Sequence, residues 1–245
     1  MIVLGIDSSA KTAGVAVLRD GTLLYESWLG TGFTHSETLL ELTDAALRAV
    51  RITPAQVDVY AVTAGPGSFT GLRIGMALVK GLAAANGTPC VPVSTLRALA
   101  AACDVPGLVV PAMDARRGEV YTAAFLKKED GTLLRLRDDT AQSAAAAMDF
   151  AAAWCAENPG HSVTLVGDGA YLCAADWAKR GVAAPAVRLA SEDLRTRAAA
   201  AAARIAAEEA AAGQAVPAAD LRPDYHRLCQ AERERAEREA AAKAQ

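Results

Sequence analysis

Apolar and polar positions alternate between short runs and sharp stops along the first half of the chain. Ile2 to Ile6 form an apolar run that ends at Asp7 and passes into a turn-like Ser8-Ser9-Ala10-Lys11-Thr12. Val15 and Val17, then Leu23 to Trp28, supply two more strand-like runs about the turn Arg19-Asp20-Gly21, the pattern of a strand, loop and hairpin. Thr34 with Glu37 three residues on is a capping-box signature. Leu39, Leu40, Leu42, Leu47 and Val50 follow at helical spacing, which predicts a helix over 35–50. Val57 to Val62 reads as a buried strand, followed by the turn Ala64-Gly65-Pro66-Gly67-Ser68-Phe69-Thr70-Gly71-Leu72-Arg73 and a second helix over 70–86.

A short strand over Cys90 to Val93 and a helix from Thr95 to Cys103 lead to Asp104-Val105-Pro106-Gly107, a lobe boundary by its turn residues. Beyond it, Leu108 to Met113, the turn Asp114 to Gly118 and Val120 to Leu126 make another hairpin. An Ala-rich helix over 141–157, a strand Val163 to Val166 ending in Gly167-Asp168-Gly169 and a helix through Trp177 complete this half. Both halves open with hairpins and continue with helix and strand, so the pattern predicts two related α/β lobes, 1–104 and 105–230. The second includes a helix over 198–212 and an irregular return, Pro217 to Tyr225. Residues 231–245 form a charged tail whose default reading is a solvated helix.

Composition changes the picture in one respect. Alanine fills 58 of the 245 positions, so the 52% hydrophobic content reflects small side chains rather than a large apolar core. Alanine favours helix and predicts thin, close helix contacts. No stretch reaches the roughly 18 apolar residues of a membrane span, so no membrane partner is expected. The opening MIVLGIDSSAK has no basic n-region and reads as neither signal nor transit peptide. A net charge of −3 is not the basic footprint of a protein that holds nucleic acid alone. Five cysteines without a C-x-x-C pair read as buried, reduced thiols in a cytoplasmic protein.

Candidate chemistry is sparse. A strand ending in Asp7-Ser8-Ser9 fits either a phosphate or Mg²⁺-water site or a hydroxyl-rich turn that caps the strand. The loop with Gly65, Gly67, Ser68, Thr70 and Gly71 frees amides before a helix N-terminus, or packs tightly and binds nothing. Leu72-Arg73 stands where a Walker loop needs Lys and Ser or Thr. His35, His161 and His226 are too scattered for a two-histidine metal motif, and Ser68 lies outside a G-x-S-x-G elbow. Asp114, Asp138, Asp139 and Asp168 read as ordinary turn residues. The helix over 35–50 carries two adjacent apolar stripes, 39-42-46-49 and 40-43-47-50, one of which could face a partner. Gly71, Gly75 and Gly81 in the next helix, beside Leu72, Met76, Val79 and Leu82, suit close helix approach. Both features also fit two helices that fill one crowded lobe.

Together Ile6-Asp7-Ser8-Ser9, the stretch from Ala64 to Gly75 with Lys80-Gly81-Leu82-Ala83, the turn Asp114 to Tyr121, and Pro223-Asp224-Tyr225 with Ala231-Glu232 resemble the bacterial TsaB (YeaZ) family. The resemblance covers nearly the whole chain, and G-P-G-S-F-T-G-L-R-I-G is its most specific part. It implies an α/β, two-lobe, actin-like fold of the sugar-kinase and Hsp70 ATPase type. It implies a non-catalytic partner of the paralogous transferase TsaD, which with the ATPase TsaE modifies the adenosine 3′ of the anticodon with a donor made by TsaC. The catalytic paralogue has a metal-binding H-x-x-x-H and acids after its first Ser, where this chain reads Ser9-Ala10-Lys11-Thr12 and has no such pair. The resemblance further implies that the two helices pack on TsaD or on a second copy as a homodimer. The expected interface is His35, Leu39, Leu42, Thr43, Leu72, Gly75, Met76 and Val79. No catalytic residue, metal or resident cofactor is expected, with ATP or ADP only at the TsaD interface and tRNA reached only through the complex.

Two other functions compete. An ATP-dependent small-molecule kinase on the same fold is favoured by Asp7 and the loop 65–73, but lacks an identifiable base and sugar-binding carboxylates. A metallopeptidase is disfavoured by the histidine count.

Overall fold

The computed structural model describes residues 1–180 and 187–227. Cys229, the Ala231-Glu232 match and the tail 231–245 lie outside the described residues. Two five-stranded sheets carry the same topology. The first contains β1 (Ile2–Asp7), β2 (Ala13–Arg19), β3 (Thr22–Leu29), β4 (Val59–Gly65) and β5 (Cys90–Ser94), in the spatial order β3-β2-β1-β4-β5. The second contains β6 (Gly107–Arg116), β7 (Glu119–Lys127), β8 (Leu133–Ser143), β9 (Val163–Val166) and β10 (Val187–Leu189), in the order β10-β9-β6-β7-β8. In each sheet the first three strands form an antiparallel meander, and the remaining two add parallel on the far side of the first. That shared order makes the two halves structural repeats.

Local chemistry explains the boundaries. Asp20 and Gly21 hold φ of 50° and 79°, the left-handed pair a two-residue hairpin needs between β2 and β3. Helix α1 (His35–Ala49) begins at the Thr34/Glu37 capping box, and α2 (Phe69–Asn86) is capped by Ser68 and ends at left-handed Gly87. Helices α3 (Thr95–Ala101), α4 (Ala144–Glu157), α5 (Ala170–Lys179) and α6 (Ala199–Ala211) complete the set.

Helix α6 shows what the alanines do. It buries Ala199 to Ala203, Ile205 and Ala206 against β1, β2 and β4, and joins α3 in a core layer shared with Val109, Met113 and Phe125 of the second sheet. A Cβ on Gly5 would stand 2.5 Å from the Ala199 carbonyl oxygen, so helix and strand meet nearly backbone to backbone. Small side chains on both elements are the condition for that approach.

Three expectations change. The division at residue 104 assigns the last helix to the second lobe, whereas α6 packs on the first sheet, where Gly5 lets its alanine face approach nearly backbone to backbone. The Ala-rich helix starts at 144 rather than 141, since Leu133–Ser143 pairs with β7 as an edge strand. Asp138 and Asp139 therefore lie in that strand and not in a turn. Its register shifts and its exposed Arg135, Arg137 and Asp138 are features that disfavour edge-to-edge pairing. Among the described residues no helix is long and apolar enough to cross a membrane.

Candidate functional site

The carboxyl ends of β1, β4, β6 and β9 converge on a cleft of about 1200 Å³ between the lobes. Asp7 closes β1, and its Oδ1 accepts three hydrogen bonds: from the Ser9 amide at 3.0 Å, Ser9 Oγ at 2.6 Å and Thr63 Oγ1 at 2.7 Å. Ser8 Oγ donates to the Gly71 carbonyl at 2.8 Å, and the Ser68 amide donates to the Ser9 carbonyl at 2.7 Å. The strand-end turn and the glycine loop are thus stitched to each other. All three of Asp7, Ser8 and Ser9 are buried.

Each glycine has a neighbour that explains it. A Cβ on Gly71 would meet the Ser8 carbonyl oxygen at 2.1 Å, and on Gly75 the Ser8 hydroxyl at 2.2 Å. A Cβ on Gly67 would meet the Ser9 carbonyl oxygen at 2.5 Å, and one on Gly65, at φ 137°, the Asp224 carbonyl oxygen at 2.2 Å. Of the expected phosphate loop, the structure brings Asp7, Ser8, Ser9, Gly65, Gly67, Ser68 and Gly71 together, with Thr70 exposed on the first turn of α2. As a cradle for the phosphates of ATP or ADP it does not fit, because the chain's own carbonyls occupy the approach to both loop glycines.

The second lobe supplies acids that sequence reasoning passed over as turn residues. Asp168, between Gly167 and Gly169, accepts the Asp114 amide at 3.0 Å, so both carboxylates stand at the cleft wall. Burial pushes the Asp168 carboxyl above its ordinary value, with the neighbouring Asp114 adding to the rise and the amide bond opposing it. Gly167 and Gly169 let this turn lie on β6: their Cβ atoms would meet Ala112 O at 2.1 Å and Met113 C at 2.6 Å. Trp28, Phe33, Glu192 and Asp193 complete the rim, along with residues 224–227. No local signal marks these positions, since chain segments distant in sequence meet only in the fold.

The expected partner residues divide. Leu39, Thr43, Leu72, Gly75, Met76 and Val79 are buried inside the first lobe, which corrects their assignment to a partner surface. The turn of α1 points 39, 43, 46 and 47 inward, so neither predicted stripe is the buried one. His35 and Leu42 are half-buried, and His35 Nε2 sits 2.8 Å from the Ala10 carbonyl oxygen. Exposed on α1 is Leu40, at 57%, and on α2 Ala77 and Gly81, while Phe33, 66% exposed, stands at the cleft rim. Gly81 has open space where a Cβ would stand.

Burial raises the thiols of Cys90 and Cys103 to about 11 and that of Cys173 to about 12, which makes them unreactive core groups. Among the described residues no three His, Cys, Asp or Glu are grouped to hold a metal.

Paired sheets of this order around one cleft define an α/β protein with a two-lobe, actin-like fold. Component A of (R)-2-hydroxyglutaryl-CoA dehydratase from Acidaminococcus fermentans shares that fold at TM-score 0.50 and 13% identity, covering 86% of this chain and 99% of its own. YeaZ from Pseudomonas aeruginosa superposes at TM-score 0.73 with 25% identity, over 91% of this chain and 99% of its own. Residues 32–231 match the family model described as TsaD, tRNA N6-adenosine threonylcarbamoyltransferase. The chain belongs to that family, as a member of its TsaB (YeaZ) branch. Among curated relatives, the Bacillus subtilis protein named tRNA threonylcarbamoyladenosine biosynthesis protein TsaB is 38% identical over 52% of this chain and 56% of its own. Its Escherichia coli namesake is 34% identical over 54% and 58%. The chain spans a little over half the length of the curated relatives it matches.

Proposed function

We propose that this chain is a non-catalytic subunit for threonylcarbamoylation of the adenosine 3′ of the anticodon, acting through TsaD with TsaE. One observation carries the reading. One oxygen of the strand-end carboxylate that a kinase or transferase of this fold would present to its substrate, Asp7 Oδ1, is held by three donors of its own chain. Asp7 organises a turn, and the glycine loop is packed rather than open. Such an arrangement holds a lobe rigid and favours a scaffold over a small-molecule kinase. The partner surface we infer is the outer side of α1 and α2 about Leu40, Ala77 and Gly81, shared between TsaD and a second copy of this chain. An exposed glycine in a helix interior costs about 1 kcal/mol relative to alanine, a cost that close helix contact offsets.

The test is reconstitution. Purified TsaD, TsaE and donor should modify tRNA only when this chain is added, and this chain with donor alone should modify none. Transfer without TsaD, or full transfer without this chain, rejects the reading. Leu40→Arg in a chain that keeps its helical spectrum should weaken capture of TsaD by about tenfold or more, by placing an unpaired charge in the contact.

A further inference from the structure

The chain crosses from the first lobe to the second just after α3, and the second lobe holds that helix at both ends. At its start Ser94 Oγ accepts the Arg97 amide at 3.1 Å as the cap, and the same hydroxyl donates to Asp139 Oδ2 at 2.5 Å. Asp139 lies in β8 with its side chain 7% exposed, and its other oxygen pairs with Arg135. The Arg135 guanidinium stands 4.7 Å from the centre of the Phe125 ring, part of the core layer that α3 and α6 share with the second sheet. At the far end of the helix Lys127, the last residue of β7, donates to the Ala101 carbonyl at 3.3 Å. Arg97 of the same helix pairs with Glu209 of α6.

We propose that α3 is a pin: the grip of Asp139 on Ser94 and of Lys127 on Ala101 locks the angle between the lobes. Leverage supports this first. The seven residues of α3 span about 10 Å, and two contacts that far apart resist a rocking motion that one contact would allow. The cost of release supports it next. A nearly buried carboxylate that lets go of Ser94 loses one of its two partners, and no water replaces it without opening the contact. Asp139 and Lys127 also stand on paired strands of one sheet, so the grip moves with the second lobe as a unit. A locked angle keeps the surfaces of the two lobes in one relation, which suits a scaffold. The lock rests on these contacts alone and stands or falls apart from that reading.

Distances between spin labels test it on the full chain, with Cys229→Ser so that Cys90, Cys103, Cys155 and Cys173, the native thiols left, are buried ones. Labels at Ala85→Cys, exposed near the end of α2, and Ala175→Cys, exposed on α5, report across the lobes. Dilution in unlabelled chain restricts the reading to one molecule. The parent should give a single narrow distribution. Asp139→Ala with Lys127→Ala should broaden it by about twofold, with the far-UV spectrum unchanged and the amides of α3 exchanging about tenfold faster. Ser94→Ala and Asp139→Ala should broaden it non-additively, since each breaks the same contact. A parent distribution that is already broad overturns the proposal, as does additive broadening by that pair. A double variant that melts lower yet keeps the parent's narrow peak overturns it too, because core packing alone would then set the angle. If the double variant does not fold, Asp139→Ala alone decides by the same peak.

Discussion

The two lobes repeat one topology but finish it differently at the cleft. In the first, a single carboxylate, Asp7, sits among three donors and faces a loop without acids. In the second, Asp114 and Asp168 stand side by side, and Asp168 is held against burial by one amide. The first arrangement spends Asp7 Oδ1 on its own chain; the second leaves Asp168 buried beside another acid, which disfavours its charged form. A repeated fold therefore fixes where strand-end acids lie, while the donors packed around each decide what it does.

Gly167→Ala should break the second lobe's turn most severely. At φ 105° with Ala112 O 2.1 Å from the new Cβ, it combines backbone strain with overpacking against main chain. The expected cost is about 3 kcal/mol, a fall in Tm of about 6–12 °C in a thermal melt. Asp7→Ala should rank next in the first lobe, at about 2–3 kcal/mol in urea, because it strands buried donors; Asp7→Asn, which keeps an acceptor, should cost about 1 kcal/mol.

Asp168→Asn should do the opposite and on a smaller scale. The raised carboxyl means that the folded chain binds this proton more tightly than the unfolded chain. Its contribution to stability is greatest below the ordinary carboxylate pKa and declines as pH rises through the raised value. Asparagine retains an acceptor for the Asp114 amide and removes the decline, so the variant should melt higher than the parent at neutral pH and equal to it in acid. A variant that melts lower at neutral pH would show that Arg116 and Lys11, the cations acting on Asp168, outweigh its burial.

Much of this was legible in the chain itself. The apolar run ending at Asp7, the Thr34/Glu37 box and the Asp20-Gly21 turn are local signals, and each marks the element it should, while the run read as Val57 to Val62 becomes the strand Val59–Gly65, displaced along the chain. Strand β8 was hidden because an edge strand buries little, and its alternation Leu134-Arg135-Leu136-Arg137 is short and leaves both leucines exposed. The inward face of α1 was hidden because two apolar stripes on a helix do not say which meets the sheet. The site's meaning was least legible: glycines chosen for packing against Ser8, Ser9 and Asp224 look the same in sequence as glycines chosen for phosphate.

That ambiguity is settled most directly by Asp7→Asn in the reconstituted transfer reaction with TsaD, TsaE and tRNA. If Asp7 is structural, the variant, folded and paired with TsaD, modifies tRNA at the parent's rate. A loss of about a hundredfold or more with fold and pairing intact would place Asp7 in the chemistry and contradict the account.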